Sequence, residues 1–296
     1  MNYVISCEST VDMPYTFCKE NELEIIFYSF VMNDRIYQDN MYREPLFDDS
    51  FYAALHKWNS LPKASVLSLY TYQEHFRRIL EQGKEIIHVC TSSKVSKSYY
   101  HALAAAETLR REFPSQRIAI IDSTCASFSY GMLIDDACEI KNEGKDFFEL
   151  EDFIERNKYN YHSEFFVNSV KYLVHTKRIE KKFANLVSLL HIKLLNRINE
   201  EGRVVKFNTK QTVEQCLNEL VENMKNNCKF GENYNDKIII GYGDTPEIAH
   251  RLFEKVKNTF PNVNQKIKIR RQGNVTASVT GPKIISLTYK GRRRQK

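Results

Sequence analysis

Apolar residues recur along this chain in two rhythms. Short apolar runs, read as strands, alternate with longer stretches in which apolar positions return every three or four residues, read as helices. In the first half the pattern predicts strands at Tyr3–Ser6, Glu24–Val31, Glu85–Cys90 and Arg117–Ile121, and helices over 15–21, 47–57, 70–82, 96–112 and 124–142. The run RIAIID (117–122) is of the kind buried on both faces of a parallel sheet. In the second half, strands are predicted near Phe165–Asn168, Ile192–Ile198, Arg203–Phe207, Lys237–Gly241, Ile267–Arg271 and Ile284–Tyr289, with helices over 180–190, 211–227 and 245–259. The polar stretch NEGKDFFELE interrupts the pattern and sets a boundary near Gly144–Glu151. The expected architecture is α/β. An N-terminal domain (1–148) carries a parallel sheet with helices on both faces, a second mixed-sheet α/β domain spans 149–289, and a basic tail covers 290–296.

Ligands of open parallel sheets sit at the carboxyl ends of the strands. Three such ends carry hydroxyl pairs: Ser9-Thr10, Ser92-Ser93 and Ser123-Thr124. The segment IIHVCTSSKVSKSYYHA (86–102) runs from a strand through Thr91, Ser92 and Ser93 into a helical pattern near Ser96. Free N–H groups at a helix start, beside hydroxyl donors, suit a carboxylate or phosphate. The competing reading is that Ser93 or Ser96 only caps the helix.

Composition narrows the classes. No apolar run approaches the roughly 18–20 residues of a membrane helix, and MNYVISCEST lacks the pattern of a secretory signal. Seven scattered cysteines without a C-x-x-C pair fit reduced thiols and a cytoplasmic location. Eight histidines without an H-E-x-x-H give no support to a metal site. The net charge is +6, but the segment KGRRRQK supplies five of it, leaving +1 for residues 1–289. No basic face for nucleic acid is indicated, and a solvated, disordered tail is the simpler reading.

In order, these segments resemble the bacterial DegV family, whose members bind fatty acids. The family's opening T-D-S-T-x-D-L-P-like turn is matched by Ser6 to Pro14, and its P-x-T-S-x-P-S-like turn by Pro62 to Ser68. Its I-S-S-x-L-S-G-T-Y-Q-S-A is matched by Thr91 to Ala102, its D-S turn by Asp122-Ser123, and its L-x-x-G-G-R-I by Leu173 to Ile179. Its terminal H-T-G-P-G survives as Val279-Thr280-Gly281-Pro282-Lys283. The resemblance implies two α/β domains and a carrier, not an enzyme, with no cofactor beyond a bound long-chain fatty acid. Ser93 is then expected to meet the carboxylate, with Ser92, Ser65, Ser96 and Thr280 beside it and Ser9 and Ser123 as further hydroxyls. An apolar tunnel holds the chain, at roughly 0.8 kcal/mol per buried methylene. The carrier is expected to present its cargo to a fatty acid kinase, feeding phospholipid synthesis, with Arg178 a candidate for docking and transient contact with a membrane surface allowed.

The chain departs from the family pattern at Glu8, Ala64, Lys97-Ser98, Thr176-Lys177, Val279 and Lys283. These changes raise an alternative ligand, a larger anionic head met by Lys97, Lys177 or Lys283, or loss of kinase docking. A serine hydrolase is disfavoured because Ser93 lacks the G-x-S-x-G elbow. A cysteine nucleophile at Cys7 or Cys90 competes with the commoner reading, a buried structural thiol.

Overall fold

The computed structural model describes residues 2–41, 45–57, 61–167, 170–176, 192–263 and 265–296. Along the chain, β1 (Tyr3–Glu8) and β2 (Glu24–Ile26) are followed by β3 (Ser29–Met32), β4 (Arg35–Gln38) and β5 (Lys63–Ala64), then β6 (Glu85–Cys90) and β7 (Ile118–Asp122). β1, β2, β6 and β7 form a parallel sheet in the order β2-β1-β6-β7, with Ser6 opposite Glu24, Tyr3 opposite Glu85 and Ile86 opposite Ile118. Alternate residues feed two cores. Tyr3, Ile5, Cys7, Ile87 and Val89 face one, and Val4, Ile86 and Cys90 the other. Both faces are therefore covered, which is why apolar residues fall on both faces of these runs. Helices α1 (Tyr15–Glu20) and α2 (Pro45–His56) precede α3 (Leu69–Leu80) and α4 (Ser98–Glu112). α3 and α4 cover one face with Tyr72, Phe76, Ile79, Ala102, Ala105 and Leu109. α5 (Phe128–Asn142) and α6 (Phe147–Asn157) cover the other with Tyr130, Leu133, Leu150 and Ile154.

The later part is a six-stranded sheet of β8 (Tyr161–Val167), β9 (Lys193–Ile198), β10 (Val204–Lys210), β11 (Ile238–Tyr242), β12 (Ile267–Arg271) and β13 (Ile284–Lys290), ordered β10-β9-β8-β13-β11-β12. Only the β11–β12 pair is parallel. α7 (Lys171–His175), α8 (Val213–Asn227), α9 (Pro246–Thr259) and α10 (Asn274–Thr280) accompany it. α8 and α9 pack on one face against Phe166, Leu195, Ile240 and Ile285. The opposite face turns toward α5, where a Cβ on Gly241 would lie 2.3 Å from Phe128.

Several predicted elements change on inspection. The single strand Glu24–Val31 is two strands in different sheets: β2 joins the parallel sheet, and β3 pairs antiparallel with β4 and β5. Tyr28 marks the break, its N–H bound by Ser9 Oγ and its hydroxyl by Ser96 and Ser98. The stretch read as an interruption at Gly144–Glu151 holds the start of α6, fixed by a capping box between Asp146 and Glu149. α10 was not foreseen. The predicted helix 180–190 lies outside the described residues, as do Lys177 and Arg178.

The tail read as solvated is docked instead. Arg294 is 3% exposed; its guanidinium donates to Thr124 Oγ1 (2.7 Å) and Lys158 O (3.2 Å), and its N–H to Tyr159 O. Arg293 pairs with Glu200. Charge density misled the reading because it does not show that a guanidinium can satisfy buried carbonyls.

Candidate functional site

A cavity of about 970 Å³ lies between the carboxyl ends of the parallel sheet, the segment 62–66, α10 and one face of the six-stranded sheet. Period-two alternation supplies that face: Ser163 and Phe165 from β8, Leu194, Asn196 and Ile198 from β9, Val204 and Lys206 from β10, Ile284 and Ser286 from β13. Val275, Thr276, Val279 and Thr280 lie at helical spacing on α10 and close one side. The volume is at the upper end of the roughly 300–1,000 Å³ of small-molecule pockets.

The hydroxyls singled out in the sequence separate into two groups. Ser65, Ser96 and Thr280 line the cavity. Ser96 Oγ lies 2.9 Å from Tyr28 OH and donates to Ser98 Oγ at 3.0 Å; Thr280 Oγ1 donates to Gln272 Oε1 (2.9 Å). The other four are not part of the lining. Ser92 is buried and donates to Gly202 O at 2.8 Å, where the chain comes so near that a Cβ on Gly202 would meet Ser92 Oγ at 2.2 Å. Ser93 gives its N–H to Asp122 Oδ1 (3.2 Å), Ser9 Oγ accepts from Tyr28 N, and Ser123 Oγ closes a local turn on Cys125. In one run of hydroxyls the sequence does not tell which face the loop presents; the turn 92–96 aims Ser96, not Ser93, inward. The predicted helix start at 96 shifts to Ser98, with Lys97 in the cap position and no side-chain cap.

Sequence reasoning passed over other lining groups. Thr10 and Thr91 meet at 2.8 Å in the roof. Behind Ser127 and Thr276 sits Asp12, whose Oδ2 accepts from Ser127 and Oδ1 from Thr276 at 3.2 Å. Burial pushes the Asp12 carboxyl up to about 7. Lys63, Lys94, Lys97, Arg203 and Lys206 line the cavity, and no Asp or Glu does among the described residues. Of the departures from the family pattern, Ala64, Lys97, Thr176 and Val279 line it, whereas Lys283 is exposed elsewhere. The apolar part gathers Phe165, Leu173, Leu194 and Ile284, which cluster with Val167 and Val170.

Two other groupings are chemically suggestive but closed. Glu8, His88 and Cys90 place ligand-type atoms within 4.8 Å of one another. Glu8 is already held by Tyr72 OH (2.5 Å) and Thr91 N (2.9 Å), and His88 Nδ1 lies 2.8 Å from Ser6 Oγ. Ser6 also lies 2.9 Å from His75 Nε2, so it is the serine with histidine neighbours, yet it is fully buried and outside the cavity lining. Burial lowers both imidazoles, His75 to about 4. The thiols of Cys7 and Cys90 are fully buried and pushed well up by that burial, which disfavours a nucleophilic thiolate.

Parallel sheet, mixed sheet and a cavity of mixed polarity between them define a two-sheet α/β protein. The chain belongs to the DegV family: the family model described as "Uncharacterised protein, DegV family" matches residues 3–291. A DegV domain-containing protein of Clostridium perfringens is 28% identical over 290 residues, covering 98% of this chain and 97% of that protein. Among solved structures, a stearic acid-binding protein from Eubacterium ventriosum matches with a TM-score of 0.83 at 22% identity, over 98% of this chain and 99% of that one. A DegV lipid binding protein from Thermotoga maritima matches with a TM-score of 0.82 at 20% identity, over 100% of both chains. At these identities the structural likeness establishes the fold.

Proposed function

We propose that this protein binds a long-chain fatty acid, carboxylate toward the hydroxyls of Ser65, Ser96 and Thr280 and acyl chain against the apolar lining. The observation that carries the reading is the cavity's polarity: hydroxyls and five cations with no lining carboxylate among the described residues, continuous with Phe165, Leu173, Leu194 and Ile284. An anion is favoured there, and the buried methylenes supply most of the affinity. Fatty-acid binding by the stearic acid-binding relative supports the same reading. Delivery of the acid to a separate kinase, with Arg178 at the contact, and a cytoplasmic setting rest on family membership. Among the described residues no helix is long and apolar enough to cross a membrane. A carrier rather than a hydrolase is favoured because no histidine bonds Ser93 among the described residues.

The five cations favour one second reading, an amphiphile whose head bears more than one negative charge. Mass spectrometry of an organic extract of the purified protein separates the two. A long-chain fatty acid is the expected ligand, and Ser96→Ala is expected to weaken its binding about ten-fold, the loss of one charge-assisted hydrogen bond. Ser93→Ala is expected to leave affinity unchanged. An extract free of fatty acid, with no uptake of labelled palmitate or oleate by delipidated protein, would defeat the proposal.

A further inference from the structure

The cavity floor is not uniformly apolar. Ser163, Asn196 and Ser286 line it and are 6%, 6% and 5% exposed. Register fixes their arrangement. Asn196 stands opposite Phe165, and Phe165 opposite Ser286, so the two polar residues flank one ring across three strands. Ser163 lies two residues before Phe165 on the same face, diagonal to Ser286. Diagonal neighbours on a sheet are about 7–8 Å apart, with Cβ atoms nearer, a spacing one oxygen can bridge between two hydroxyls.

These groups have capacity to spare. Among the described residues the hydroxyls of Ser163 and Ser286 have no hydrogen-bond partner, and Asn196 uses only its amide, donating to Leu194 O at 3.1 Å. Thr288, directly opposite Ser163, has a fully buried Oγ1 that is also unpartnered. The oxygens of Ser163 and Ser286 open onto the cavity, and covering such groups without giving them a partner is costly. A plain hydrocarbon chain laid over this floor would leave them unmet.

We infer that the preferred ligand carries an oxygen function part-way along its acyl chain, as in a mid-chain hydroxy or keto fatty acid, received by Ser163, Asn196 and Ser286. The inference rests on the fatty-acid reading and adds to it the class of chain. Hydroxyl and amide groups can each donate or accept, so either an alcohol or a carbonyl oxygen is served. The selectivity expected is large, because a site built to hydrogen-bond an oxygen disfavours the analogue that lacks it.

The test uses delipidated full-length protein and measures the affinity of octadecanoic acid against a series of octadecanoic acids hydroxylated at successive mid-chain carbons. At least one isomer is expected to bind about ten-fold tighter than the unsubstituted acid. In the double variant Ser163→Ala with Ser286→Ala, that preference is expected to vanish while octadecanoic acid binds at least as tightly as before. A merely structural role for the two serines would not produce that reversal. If octadecanoic acid binds and every hydroxylated isomer binds equally or more weakly, water serves the floor and the inference is overturned. It is likewise overturned if the favoured isomer keeps its advantage in the double variant. If no acid of either kind binds, the fatty-acid reading itself fails and takes this inference with it.

Discussion

Asp12 shows how much a single carboxyl at the cavity wall can set. Its folded pKa of about 7 stands above the ordinary 3.8 because burial outweighs the hydroxyls of Ser127 and Thr276 that favour its ionised form. The native state therefore keeps a proton that the unfolded chain releases between those values. The stabilisation is complete below about pH 4 and is lost as pH rises through 7. Asp12→Asn is expected to flatten the fall of stability across that window, by up to about 1.36 kcal/mol per pH unit. Urea unfolding of both proteins from pH 4 to 8 measures it; parallel slopes would show that Asp12 is not the titrating group. The same scale explains why some of the serines line the cavity and others do not. Ser92, Ser93 and Ser96 are alike in sequence, and only the backbone bonds from Val95 N and Ser96 N to Ser92 O decide which hydroxyl turns inward.

At the scale of elements, the turn between β9 and β10 is the contact that ties the later sheet to the strand ends of the first. Gly202 has φ +82°, and its carbonyl receives Ser92 Oγ. Both the positive φ and the close approach require glycine there. Gly202→Ala is expected to cost at least about 1 kcal/mol and to disorder the adjacent lining at Ile198, Arg203 and Val204. Thermal unfolding and amide exchange of β9 and β10 would register it, and an unchanged melting point would mean that the turn yields freely. The strands of the parallel sheet were legible in the sequence because each is apolar on both faces. The cavity floor was not. Ser163, Asn196 and Ser286 lie on three strands far apart in the chain, and a strand's polar position reads as solvent-facing until its pairing is known. The polar stretch around Asp146 hid α6 for a related reason: a capping box has the same composition as a loop.

Across the whole molecule, Asp136 on α5 joins helix to sheet. Lys237 Nζ lies 2.9 Å and Lys290 Nζ 2.6 Å from its oxygens, and Tyr161 OH donates to it at 2.8 Å. Burial pushes its carboxyl up, but the two ammonium groups outweigh that and hold it below the ordinary 3.8. Its stabilisation is therefore present at neutral pH and lost as pH falls below about 4. Asp136→Ala is expected to destabilise the protein by about 1–3 kcal/mol at pH 7, since Lys290 and Tyr161 lose their carboxylate while Lys237 keeps Asp135 and Glu139. A chemical-denaturation difference below about 1 kcal/mol would show that water replaces the carboxylate.

The strand order of the six-stranded sheet has a consequence for how the chain is made. β13 sits between β8 and β11, although it comes after both in sequence. A ribosome releasing the chain from its N-terminus exposes β8 and β11 first, each with one row of backbone amides and carbonyls unmatched. Those edges stay open until residues 284–290 emerge and insert between them, setting Leu287 opposite Glu164 and Tyr289 opposite His162. Such long-range closure is slow, and open edges are templates for the wrong neighbour. The nascent protein is thus open to wrong pairing for as long as β8 and β11 are out and β13 is not.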